Sequence, residues 1–271
     1  MPLSEKSNKQ YDNVYSIIQR KFDGAVNFED TEKVMNALMF KENGGLVSDN
    51  TLKNRLTAVI HKSSNKVYKD KMVEVALRLK AKADTPETNM SKEDDFKYED
   101  LKNAFDKAEG FDKMVLALYF KIPPRRLTDY IEMVVRMKPM KRYAKDKNYL
   151  VVDGDARYFV FNNYKTAKVY GKQIIAIPDG VWELFKDQVK DKQLLLLNPS
   201  SGKKFTDAQF SDYLRRLTMK LIGKKASASM FRHVFISHFL EKNPTTIERK
   251  RMAELMAHSV EMQLNYDRRE E

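Results

Sequence analysis

Apolar positions recur at helical spacing through the first third of the chain. Tyr11, Val14, Tyr15, Ile17 and Ile18 form one stripe, and Val34, Leu38 and Met39 form another behind the start signal Glu29-Asp30-Thr31. Asn43-Gly44-Gly45 breaks the chain. Ser48 or Asp49 then caps a helix carrying Leu52, Leu56, Val59 and Ile60. A further helix is predicted near Lys66 to Lys82. The polar, acidic stretch Ala83 to Asp95, which contains Pro86, ends the pattern and reads as a linker.

Beyond it the periodicity changes. Phe96 to Phe120 reads as helix, with Leu101, Phe105, Met114, Leu116 and Leu118 as core, and Pro123-Pro124 stops it. Strand-like runs follow at Leu150-Val151-Val152, Tyr158-Phe159-Val160-Phe161 and Ile174-Ile175-Ala176-Ile177, with Asp153-Gly154 as the turn between the first two. After Pro178-Asp179-Gly180 the helical period returns with Val181, Leu184, Phe185 and Val189. Further helices are predicted at Asp207 to Ile222 and Ser229 to Leu240, with a last pair within Thr246 to Tyr266. The expected fold is mainly α with a small antiparallel β-sheet (α+β). A helical domain covers residues 1–85, a linker 86–95, and a second domain 96–271.

Composition narrows the chemistry. With 42% apolar and 32% charged residues, the 271-residue chain has globular rather than disordered character. It has no Cys, which excludes a disulfide scaffold, a zinc–thiolate site and a cysteine nucleophile. With four His, a His-rich metal site is not expected, and no cofactor is implied. No apolar run approaches the roughly 18 residues that span a bilayer, and Met1 to Gln10 is polar. A soluble intracellular protein without a membrane partner is expected. The net charge of +12 points to a polyanion such as nucleic acid; a solvated, lysine-rich surface is the alternative. Glycine phosphate loops, HExxH and GxSxG are all missing. A paired-carboxylate nuclease is not excluded by spacing, but no compact acidic cluster stands on a strand–turn frame.

The C-terminal third stands out. Met230-Phe231-Arg232-His233-Val234-Phe235-Ile236-Ser237-His238-Phe239-Leu240 is an apolar helix with an Arg and two His. Arg232 lies among apolar neighbours, so it is partly buried and needs an anionic partner. Leu255-Met256-Ala257-His258-Ser259 follows, and then Tyr266.

This ordered set resembles the signature of the tyrosine recombinases, the phage integrase family. Upstream, Arg126-Leu127-Thr128-Asp129 resembles the family's first arginine motif, with Arg125 as the alternative to Arg126. Tyr164-Lys165-Thr166-Ala167-Lys168, ahead of Ile174-Ile175-Ala176-Ile177-Pro178, resembles the hairpin that carries the family's lysine; Lys165 fits best and Lys168 second. The resemblance covers Phe96 to Tyr266, and the helical N-terminal part is similar to the family's core-binding, DNA-clamping domain. Three departures stand beside it. Ser229 replaces the usual His or Lys, Ala257 replaces the usual Gly, and the gap from His258 to Tyr266 is about one residue short.

The resemblance implies a site-specific recombinase or integrase that cuts double-stranded DNA through a covalent 3′-phosphotyrosine, without metal or ATP. Arg126 and Arg232 would hold the scissile phosphate, Lys165 would protonate the 5′ oxygen, His258 would hydrogen-bond the phosphate or assist proton transfer, and Tyr266 would attack. Ser229 would touch the phosphate or cap its helix, and His233 would support the site from behind. The family implies a homo-tetramer on two DNA sites. The five residues after Tyr266 are short and charged, so the free protein is expected to be a monomer. The compact form is similar to recombinases of large DNA viruses and mobile elements, which would place the protein wherever its target DNA lies. A type IB topoisomerase and a catalytically inactive DNA-binding relative remain as alternatives.

Overall fold

The computed structural model describes residues 5–83 and 96–264; the linker 86–95 and Tyr266 lie outside the described residues. The chain divides into two compact units, residues 1–89 and 90–271.

The first unit is built from α1 (Glu5–Gln19), α2 (Thr31–Met39), α3 (Asp49–Lys62) and α4 (Lys66–Ala83). Side-chain oxygens start two of them: Asp30 accepts from Lys33 N at 3.1 Å, and Ser48 from Thr51 N at 3.3 Å. Ser48, not Asp49, is therefore the cap. Between α2 and α3, Gly44 takes φ +80°, and Lys41 N bonds Gly45 O at 2.7 Å to close a tight turn. The apolar stripes meet in one core around Ile18, Val34, Leu38, Leu56, Val59 and Tyr68. Two of the tyrosine hydroxyls at this core have backbone partners: Tyr15 bonds Ala58 O at 2.8 Å and Tyr68 bonds Phe28 O at 2.5 Å.

In the second unit, the run expected as a single helix over Phe96 to Phe120 is two: α5 (Tyr98–Lys107) and α6 (Gly110–Phe120). Ala108 turns extended (ψ 152°) and Gly110 takes φ +50°, so the chain reverses within three residues. The apolar content of both halves hid the break. From Met114 to Tyr119 every side chain of α6 is buried, which marks it as the central helix of the unit. α7 (Leu127–Ile131) follows Pro123-Pro124.

The sheet has the order β1 (Val134–Arg136), β2 (Tyr149–Asp153), β3 (Ala156–Phe161), β4 (Gln173–Ala176). β2, β3 and β4 are antiparallel as expected, with Leu150 opposite Phe159 and Phe159 opposite Ile175. β1 is an addition that pairs parallel to β2, so the sheet is mixed. A three-residue strand, Val-Val-Arg, is too short for an alternation to be read. Leu150, Phe159 and Phe161 face the main core, while Tyr149, Val151 and Val160 form a second cluster on the other face.

A one-turn helix, α8 (Ala167–Tyr170), sits between β3 and β4. Then come α9 (Asp179–Phe185), α10 (Asp207–Ile222), α11 (Ala228–Glu241), α12 (Thr246–Leu255) and α13 (Val260–Leu264). Capping boxes at Thr206/Gln209 and Thr245/Glu248 start α10 and α12. Ser227, not Ser229, caps α11, accepting from Met230 N at 3.3 Å; Ser229 is exposed in the first turn.

Candidate active site

Arg126, Arg232 and His258 of the signature meet at the C-terminal end of α12. A helix leaves its last carbonyls without intrahelical partners and carries a partial negative charge there. α12 closes that end with a Schellman motif: Ala257 N bonds Glu254 O at 2.9 Å, and His258 N bonds Ala253 O at 3.0 Å. The motif demands a left-handed residue after the cap. Ala257 supplies it at φ +53°, a conformation that glycine would adopt without strain.

Side chains from distant segments bond four successive carbonyls of this turn. Gln173 Nε2 donates to Glu254 O at 2.9 Å, and Arg125 Nη1 to Leu255 O at 2.9 Å. Arg232 Nη2 donates to Met256 O at 3.2 Å, and Arg126 Nη1 to Ala257 O at 3.1 Å. Thr166 Oγ1 also donates to Ala257 O, at 2.9 Å. Three arginines are thus gathered on one negative helix end, each bond to a charged donor contributing about 1.5–3 kcal/mol.

The two neighbouring arginines differ in kind. Arg125 is 1% exposed, pairs with the fully buried Asp129 at 3.1 Å, bonds Gln173 Oε1, and lies over the rings of Phe161 and Tyr164 at 4.3 and 4.5 Å. It is committed to the fold. Arg126 is half-buried and bonds Ala257 O at the same helix end. Burial raises the Asp129 carboxyl above the usual carboxylate range, while Arg125 beside it lowers it.

Arg232, 3% exposed, also donates to Pro124 O, which ties α11 to the turn that bears Arg125 and Arg126. Its Nη2 stands 3.4 Å from His258 Nδ1. A guanidinium cannot accept, so Nδ1 accepts and the ring proton sits on Nε2. Burial, with Arg232, Arg126 and Arg125 nearby, lowers the His258 pKa to about 3, so the imidazole is neutral at physiological pH.

Lys165 is exposed in the β3–β4 connection, and Lys168 is exposed on α8. His233 is half-buried on α11 beside Arg232. The structure therefore brings Arg126, Arg232 and His258 together and sets the lysine segment against them through Thr166.

Asn148 was missed in the sequence. It is buried, its amide donates to Asp129 O and Asn163 O at 2.9 and 2.8 Å, and its Oδ1 accepts from Asn162 N and Asn163 N. It joins the end of α7 to the start of the lysine segment. A cavity of about 810 Å³ lies between α10 and the start of α11; Arg215, Arg216, Lys220 and Lys225 line it together with Asp212, which pairs with Arg216 at 3.0 Å. Among the described residues, no helix is long and apolar enough to cross a membrane.

Solved structures share this architecture. The Tn1549 transposon integrase in complex with circular intermediate DNA is 12% identical, over 99% of this chain and 91% of that one, with a TM-score of 0.62. The chain has the tyrosine-recombinase fold. A second structure of that integrase, in complex with transposon right-end DNA, gives 14% identity, 97% and 89% coverage, and a TM-score of 0.59. The XerH site-specific recombinase, bound to a palindromic substrate in a post-cleavage complex, gives 18% identity, 97% and 73% coverage, and a TM-score of 0.51. No protein-family model matches the sequence, and no curated protein matches it. At such identities the likeness lies in the backbone path.

Proposed function

We propose that the protein is a site-specific DNA recombinase or integrase that breaks and rejoins double-stranded DNA through a 3′-phosphotyrosine at Tyr266. The observation that carries this reading is the convergence of Arg126, Arg232 and His258 on the C-terminal turn of α12.

Arg126 and Arg232 neutralise the non-bridging oxygens of the scissile phosphate as charge builds in the transition state. Arg126 holds Ala257 O, and Arg232 holds Met256 O and Pro124 O, so both guanidiniums enter the reaction pre-oriented. His258, neutral and protonated on Nε2, hydrogen-bonds a phosphate oxygen without adding charge. The Tyr266 phenol, whose ordinary pKa is near 10, gives its proton to a solvent water and attacks phosphorus. The bond from phosphorus to the 5′ oxygen breaks, and the Lys165 ammonium gives that oxygen its proton. The phosphotyrosine conserves the bond energy, and a 5′ hydroxyl from the partner strand reverses the steps.

The basic groove of Arg215, Arg216, Lys220 and Lys225 fits the backbone of a duplex, and the residues 1–85 unit serves as the second DNA-clamping element. Paired sites raise the local concentration of subunits, so a monomer in solution assembles into a tetramer on DNA.

Covalent capture from a pool of nicked duplexes, randomised and including the sequences flanking the protein's own gene, tests the reading. The wild-type chain should yield a protein–DNA adduct that survives denaturation, and Tyr266→Phe should yield none while still retarding the duplex. An adduct of normal yield with Tyr266→Phe, or none with the wild type, would overturn it. Relaxation of a supercoiled plasmid by dilute protein without a captured sequence would indicate a topoisomerase instead.

A further inference from the structure

The segment that carries Lys165 is anchored in the main core by Tyr164 at its base, with Ala167 and Tyr170 packed against that core. α8 buries none of its residues, and Val169 on it is 75% exposed. Polar bonds fix its position further. Asn148 holds its start, and Tyr164 OH bonds Gly171 O at 2.6 Å across its base. Thr166 Oγ1 reaches Ala257 O at 2.9 Å, and Gln173, at the first position of β4, reaches Glu254 O at 2.9 Å. Both of the latter bonds end on the C-terminal turn of α12.

We propose that Thr166 and Gln173 are positioning residues that latch the Lys165 segment to the α12 turn, so that the proton donor and the phosphate-binding arginines take their places from the same backbone. The inference rests on the proposed role of Lys165 as the acid. Lys165 is bonded to Thr166, with its Cα about 3.8 Å from that of Thr166. The Ala257 carbonyl has two lone pairs, and Thr166 and Arg126 take one each. Gln173 works at the other end of the loop. Its amide N–H holds Glu254 O, while its oxygen accepts from the buried Arg125. Losing either bond frees the lysine without removing a phosphate contact. The fault therefore falls on protonation of the leaving oxygen alone.

The leaving group separates a latch from a merely structural part. The probe is the duplex captured by the wild-type chain, prepared with either oxygen or sulfur at the 5′ bridging position; a sulfur leaving group departs without a proton. Thr166→Val keeps the shape and deletes the donor. It should slow adduct formation on the oxygen duplex about ten- to a hundredfold and return to the wild-type rate on the sulfur duplex. Gln173→Met should show the same pattern, and Thr166→Ser should restore the oxygen rate. Equal losses on both duplexes, or a wild-type rate on the oxygen duplex, would overturn the latch. Lys165→Ala is the separate control. If sulfur fails to rescue it, the reading of Lys165 as the acid falls, an outcome distinct from rescue of Lys165→Ala without rescue of Thr166→Val.

Discussion

The two units of the chain bury their surfaces in different ways. In the first, the one polar side chain buried among the described residues is Ser63, and the core is Leu, Val, Ile, Ala and Tyr. In the second, the described residues include Arg125, Asp129, Asn148, Thr218, Arg232, His258 and Gln263 as buried polar or charged side chains. Five of these seven (Arg125, Asp129, Asn148, Arg232 and His258) surround the end of α12 or the segment latched to it. Burying charge is unfavourable unless each group is paired and hydrogen-bonded. The contrast teaches that the first unit is optimised for packing, whereas the second holds cations at a location set by chemistry, stabilised there by carbonyls that a helix leaves open.

The largest expected effect breaks this contrast at its most buried point. Arg125→Met leaves Asp129 without its cation and should cost about 3–5 kcal/mol. The double change Arg125→Met with Asp129→Leu should recover most of that loss. Urea unfolding followed by the emission of Trp182, the sole tryptophan, reads this unit directly. In the first unit, Leu56→Ala should cost about 2–5 kcal/mol through a cavity in a purely apolar core. It should lower the midpoint of the helical circular-dichroism signal while leaving the Trp182 transition in place. Coincident shifts of both signals would show that the units unfold as one.

A smaller effect comes from pH. Folded His258 has a pKa lowered to about 3 from 6.5. Between those values the unfolded chain binds a proton that the folded chain does not. The contribution is therefore complete above pH 6.5 and is lost as pH falls towards 3, by at most about 1.4 kcal/mol per pH unit. Acid titration of stability should be shallower in His258→Gln. The smallest effect is at Ala257. Replacing it with Gly relieves a left-handed alanine but removes a buried methyl group and adds chain entropy, so stability should change by less than about 1 kcal/mol. Ala257→Val should be clearly destabilising in the same thermal melt, because a β-branched residue tolerates that backbone poorly.

Much of the fold was legible because local chemistry announces it. Helix starts at Thr31 and Asp207 follow from their caps, and the Asp153-Gly154 turn from its glycine. Arg232 and His258 stood out because a cation and an imidazole inside apolar runs are unusual. Other features gave no local signal. Ser227 and Ser229 are the same residue two positions apart, and only the orientation of the first turn decides which one caps. Asn148, Thr166 and Gln173 are ordinary loop and strand-end polar residues. Thr166 and Gln173 have partners 91 and 81 residues away, a distance that no sequence period spans. The choice between Arg125 and Arg126 likewise turns on burial, which adjacent positions in a sequence do not display.

The gathering of distant side chains on one helix end also sets the timing of assembly. Arg125 and Arg126 bond carbonyls 130 and 131 residues further along the chain. During synthesis at 5–20 residues per second, those carbonyls follow their arginines by roughly 7–26 s. α5, α6 and the sheet can collapse in that interval, but the cationic cluster has nothing to close upon. Contacts of such long range form late because their loop closure must be overcome first. A nascent chain therefore carries the scaffold before it carries the cluster, and the three arginines are drawn together only once α12 has docked.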